Sequence, residues 1–129
     1  MTFLTEPVRI AVAEDNPDFR QALILLLRSL GHDVVCEAGD GAELLSACFP
    51  GNVDLVIADL DMPHIDGLEA AEEIAKRGVP VILLSGHPDV EYVNLQHEPV
   101  AARLLKPATP DRLQAAIHHA LEGRRRAPR

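Results

Sequence analysis

Residues 54–63 read DLVIADLDMP: four apolar residues, Leu55 to Ala58, run straight into two carboxylates, Asp59 and Asp61. An unbroken apolar run lacks the alternation of a half-exposed strand and fits one covered on both faces. PVILL at 80–84 has the same character. Carboxylates at the exit of such a strand are costly to desolvate. Either they cap the next loop, or something there uses carboxylate oxygens.

Working outward, the chain alternates between strand and helix signals. Val8–Ala13, Asp33–Glu37 and Ala101–Leu105 read as further strands. Asn16-Pro17 supplies a cap and a first-turn proline for a helix carrying Phe19, Leu23, Leu26, Leu27 and Leu30, with Gly31 as its stop. Asp40 and Glu43 open a second helix, whose apolar face is Leu44, Leu45, Cys48 and Phe49. Asp66-Gly67 starts a third, running to about Arg77 and stopped by Gly78. A weaker helix begins near Pro88 and must end by Pro99. Thr109-Pro110-Asp111 caps a last helix carrying Leu113, Ala116, Ile117, Ala120 and Leu121, with Gly123 expected to end it. Five strands alternating with five helices predict an α/β fold: one parallel sheet with helices on both faces.

Length and composition bound the function. The 129 residues make one domain, taken as 1–123, followed by a basic tail at 124–129 expected to be irregular. The formal net charge of −8 excludes a broad nucleic-acid-binding face, since the only cluster of cations is Arg124, Arg125, Arg126 and Arg129. Cys36 and Cys48 lack C-x-x-C spacing and read as buried free thiols, hence a reducing, cytoplasmic setting. No signal segment or membrane span is legible.

A parallel sheet binds its ligands outside the carboxyl ends of its strands. The residues expected there are Glu14 and Asp15 after the first strand, Asp59 and Asp61 after the third, Ser85 and Gly86 after the fourth, and Lys106 and Pro107 after the fifth. Carboxylates gathered around one lysine leave negative charge in excess. A divalent cation neutralises it, and oxygen ligands without a His/Cys cluster favour Mg²⁺, or Mn²⁺ in its place. Lys106 and Ser85 are then available to an anionic group, and a phosphoryl group suits them because its transfer needs positioning and neutralisation. A carboxylate can accept such a group covalently. His64 and His87 read as solvated loop histidines, and adjacent His118 and His119 cannot share a helical face.

In this order, AEDN (13–16), DLVIADLDMPHIDG (54–67), VILLSG (81–86) and LLKP (104–107) resemble the receiver domain of two-component response regulators, from Val8 to about Gly123. The resemblance implies a flavodoxin-like, doubly wound five-stranded sheet and a role in a phosphorelay. Asp59 would be the phosphoacceptor. Asp15 and Asp59 would bind Mg²⁺ directly, Glu14 through water, and Asp61 through its backbone carbonyl. Ser85 would hydrogen-bond the phosphoryl group and shift with it, Lys106 would pair with its charge, and a cis bond would precede Pro107. The donor would be a histidine kinase or phosphotransfer protein. The output would be an unknown protein target, without direct nucleic-acid or membrane contact, and a phosphorylation-dependent dimer is compatible with it. The chemistry would be self-phosphorylation and slow autodephosphorylation, with no turnover of external substrates.

The chain also departs from the pattern. Arg103 stands three positions before the lysine, where the family often has an aromatic switch residue, and signalling there would pass by charge. Two other classes share parts of the signal. Asp59-Leu60-Asp61 matches the D-x-D of haloacid-dehalogenase-type phosphatases, but the acidic pair precedes it here and no cap insertion is present. A flavin-binding flavodoxin would need a Ser/Thr/Gly-rich first loop, whereas EDNPD (14–18) repels phosphate. A degenerate receiver that signals without phosphate is the remaining alternative.

Overall fold

The computed structural model describes residues 7–48, 52–60, 67–86 and 101–126. The strands are β1 (Arg9–Ala13), β2 (Asp33–Ala38), β3 (Leu55–Asp59), β4 (Val81–Ser85) and β5 (Ala102–Leu105). They pair in parallel in the order β2-β1-β3-β4-β5, the expected doubly wound arrangement. The helices are α1 (Pro17–Ser29), α2 (Gly41–Glu43, continued by a π-helical turn over Leu44–Cys48), α3 (Gly67–Ala75) and α4 (Pro110–Arg126). The weak helix expected between Pro88 and Pro99 lies outside the described residues, as do Asp61, His64 and His87.

Alternation along each strand divides the core into two layers. Ile10, Val12, Leu55, Ile57, Ile82 and Leu84 pack under α1 and α4 against Leu27, Leu113 and Ile117. Ala11, Ala13, Val56, Ala58, Val81 and Leu83 pack under α2 and α3 against Leu44, Ala71 and Ile74. Every residue of β3 and β4 is buried, as two-sided cover requires.

Local chemistry explains the helix ends. Asn16 Oδ1 accepts the Asp18 and Phe19 N–H groups at 2.9 and 3.0 Å, and Pro17 occupies the first turn. Asp40 Oδ1 accepts from Glu43 N at 2.8 Å, while the Glu43 carboxylate reaches back to Gly39 N. Gly31 and Gly78, at φ +92° and +80°, end α1 and the turn after α3 in left-handed conformations that a side chain would strain.

Three expectations are corrected. The second helix is α-helical for only three residues before it widens into the π turn. Gly123 does not stop α4, which continues to Arg126 into the stretch expected to be an irregular tail. A mid-helix glycine costs about 1 kcal/mol, and the three arginines after it are good helix formers whose charge suits a helix C-terminus.

The third correction concerns the cysteines: Cys36 and Cys48 form a disulfide, with Cα atoms 5.6 Å apart. The cause is a slip in register between β1 and β2. Ile10 pairs with Val34 but Ala11 pairs with Cys36, leaving Val35 as one extra residue. Val34 therefore packs in the α1/α4 layer, and Cys36, two residues on, packs in the opposite layer. There it meets Cys48 at the end of the π turn. The inference of a reducing setting rested on free thiols and loses that support.

Candidate functional site

In this strand order the chain changes direction between β1 and β3, so the crevice at their carboxyl ends is the topological switch point. Glu14 follows β1 and Asp59 ends β3, and the adjacent Ala13 and Ala58 are register partners. The Glu14 side chain is buried to 2% exposure and that of Asp59 to 5%. Lys106 enters from beyond β5, its Nζ 2.8 Å from Glu14 Oε1 and 3.1 Å from Asp59 Oδ2. Ser85 ends β4, is buried, and accepts the Lys106 N–H on its carbonyl at 2.7 Å. The Lys106–Pro107 peptide bond is cis.

Glu14 is held at both ends. Its N–H donates to Ala38 O at 3.0 Å, and its carbonyl accepts from Arg20 Nη1 at 2.7 Å. Its second carboxylate oxygen accepts the Asn16 N–H at 3.0 Å. Arg20 Nε in turn pairs with Glu37 Oε1 on β2 at 3.2 Å, fastening the loop after β1 to the neighbouring strand. Phe19 lies on the other side, with Lys106 Nζ 4.5 Å from its ring centroid.

Neither Phe19 nor Arg20 was legible as a site residue, because Phe19 fits the apolar face of α1 and Arg20 looks like a solvated cation. The available signal was their place: the first turns after β1 border the carboxyl edge of the sheet. Arg103 lies on β5, half-buried, three positions before Lys106 and opposite Leu83 in the register.

Glu14, Asp15 and Asp59 each offer one carboxylate oxygen within 4.8 Å of the others. Three hard oxygen donors, with Asp15 exposed to solvent, fit Mg²⁺. Burial pushes the Glu14 carboxyl above its ordinary value of 4.5. The Lys106 ammonium and the Asn16 N–H oppose that rise, and the Asp15 and Asp59 carboxylates add to it. Burial alone would lower the Lys106 ammonium, but its bonds to Glu14 and Asp59 outweigh it and hold the group above 10.5.

A pH dependence follows. With its pKa raised on folding, Glu14 binds more protons in the native than in the unfolded chain, so metal-free stability falls as pH rises from 4.5 through the folded value. Glu14→Gln is expected to remove that slope and to stabilise the metal-free protein at neutral pH by about 1 kcal/mol, the order of one close like-charge contact. Mg²⁺ affinity should fall on the order of tenfold. Thermal melts against pH, with and without Mg²⁺, read both effects; an unchanged pH slope would refute the assignment.

Comparison with known proteins gives one answer. The model of the response regulator receiver domain family matches residues 10–118. The transcriptional regulatory protein PdtaR of Mycobacterium tuberculosis is 38% identical over 117 residues, covering 89% of this chain and 57% of its own length. GlrR of Escherichia coli, also a transcriptional regulatory protein, is 38% identical over 120 residues, covering 91% of this chain and 27% of its own. The chain thus spans less than two thirds of these relatives. Among solved structures, TrrA of Thermotoga maritima in complex with Mg²⁺-BeF superposes with a TM-score of 0.79 at 34% identity, covering 88% of this chain and 99% of that one. The receiver domain of NarL from M. tuberculosis gives 0.80 at 32%, covering 92% and 98%. With the family model spanning most of the chain and the acidic crevice at the switch point of its sheet, this chain belongs to the receiver domains of response regulators.

Proposed function

We propose that Asp59 accepts a phosphoryl group and that the chain signals in its phosphorylated form. The observation that carries this is the Lys106 ammonium held between two buried carboxylates from different strands, 2.8 Å from Glu14 and 3.1 Å from Asp59. An Asp59 oxygen attacks phosphorus in line. The bond to the donor breaks, and its electron pair leaves on the imidazole of a phosphohistidine or the carboxylate of an acyl phosphate. Glu14, Asp15, Asp59 and the Asp61 backbone carbonyl would hold Mg²⁺, which when bound neutralises carboxylate and phosphoryl charge. Lys106 pairs with the transferred group and Ser85, at the end of β4, hydrogen-bonds it.

The donor is a histidine kinase or phosphotransfer protein, the output a protein target, and Arg103 on β5 is the readout residue we assign. A phosphorylation-dependent dimer belongs to the same reading. No helix among the described residues is long and apolar enough to cross a membrane. We place the protein in the cytoplasm, with its proposed phosphodonor.

The test is intact mass after incubation with acetyl phosphate and Mg²⁺. One phosphoryl adduct is expected on the wild type, with none on Asp59→Asn and none when the metal is chelated. An adduct that survives in Asp59→Asn would overturn the assignment. No adduct on the wild type, together with no binding of beryllofluoride, would leave a receiver that works without phosphate.

A further inference from the structure

We propose that Phe19 is a positioning residue for Lys106, an inference that rests on the phosphoacceptor reading above. Aromatic residues make up only 3% of this chain, so abundance does not account for one at the site. Phe19 sits in the first turn of α1, its N–H fixed by Asn16 Oδ1 at 3.0 Å and its side chain packed on the α1/α4 layer of the core. The ring is therefore held by the core and by the helix cap, independently of the lysine. Lys106 Nζ lies 4.5 Å from its centroid.

An ammonium has three N–H donors. Two are directed to Glu14 Oε1 and Asp59 Oδ2, and the ring face borders the same nitrogen. The negative face of an aromatic ring attracts a cation without offering an oxygen. That distinction matters in a crevice already carrying three carboxylates. A fourth carboxylate beside Lys106 would add repulsion and compete with the incoming anion. A ring steadies the ammonium and leaves its hydrogen bonds to be exchanged. When Asp59 becomes the acyl phosphate, the Lys106 bond to that carboxylate passes to the phosphoryl oxygens, and the ring contact does not have to change. Phe19 thus keeps the cation in place during the step in which its anionic partner changes.

The test is a double-mutant cycle on the rate of adduct formation from acetyl phosphate at saturating Mg²⁺. Phe19→Leu keeps apolar volume and removes the ring, Phe19→Trp keeps a ring, and each is made in the wild type and in Lys106→Ala. Phe19→Leu is expected to slow uptake about five- to tenfold. Phe19→Trp should recover most of that loss, and Phe19→Leu should have no further effect once Lys106 is gone. Thermal melts establish that each variant is folded. An equal loss in both backgrounds would mean that Phe19 only packs the core, and Phe19→Leu matching the wild type would also overturn its role. A wild type that takes no adduct and binds no beryllofluoride would overturn the phosphoacceptor reading and this inference with it, a result distinct from the other two.

Discussion

Replacing Lys106 with alanine is expected to destabilise the metal-free protein by about 3 kcal/mol at neutral pH and to slow phosphoryl uptake on the order of 100-fold. Removing one partner of a buried ion pair leaves the other charges uncompensated, and here two carboxylates at 2% and 5% exposure lose the same ammonium. The stability loss should stay near the lower end for such pairs, because the lysine's own desolvation is relieved and Glu14, already raised, can take a proton. It should therefore shrink as pH falls. Mg²⁺ should recover part of it, since a divalent cation supplies the missing positive charge to Glu14, Asp15 and Asp59. The rate loss should not recover, because on the proposed reading Lys106 is the group that pairs with the transferring oxygens. Melts with and without Mg²⁺ across pH, beside adduct formation by mass, separate the two. A rate restored at saturating Mg²⁺ would show that Lys106 serves charge balance alone.

Reduction of the Cys36–Cys48 bridge is expected to cost about 3 kcal/mol, the loop-closure entropy of cross-linking positions 12 residues apart. For a domain of this size that lowers the melting midpoint by ~10 °C. The pair Cys36→Ala with Cys48→Ala should melt with the reduced protein, apart from the small loss of packing around Cys48, which is 2% exposed. Thiol titration should count none before reduction and two after. Equal midpoints for oxidised and reduced protein would show that the bridge constrains little in the unfolded chain.

The parts that were legible from residues alone are those dictated by local periodicity and by position at strand ends. LVIAD and VILLS announced covered strands, and the charged or hydroxyl residues closing them, Asp59 and Ser85, marked one edge of the sheet. Asn16-Pro17 and Asp40 with Glu43 announced helix starts through the hydrogen bonds those side chains make. What could not be read depends on contacts across the fold. The disulfide needs Cys36 and Cys48 on one face, and a plain two-residue alternation from Val34 would have put Cys36 on the other. The proximity of Phe19 to Lys106 joins residues 19 and 106, and α1 and the β5 exit meet only after the sheet is assembled. Gly123 misled because a glycine stops a helix only when the backbone after it turns, and in α4 it does not.

The extra residue at Val35 has an effect beyond the bridge. β2 is an outer strand of the sheet, with β1 as its sheet partner, and no strand among the described residues lies along its other rim. An even, uncharged rim of that kind is a template on which another polypeptide can add itself and start fibrous assembly. Here the rim is broken in its middle by the bulge, and the exposed acids Asp33 and Glu37 stand on either side of the break. A would-be partner strand would find its ladder interrupted and its neighbours repelled by like charge when the partner is a second copy. The irregularity that brings the two sulfurs together thus also keeps this border of the domain from recruiting its own kind.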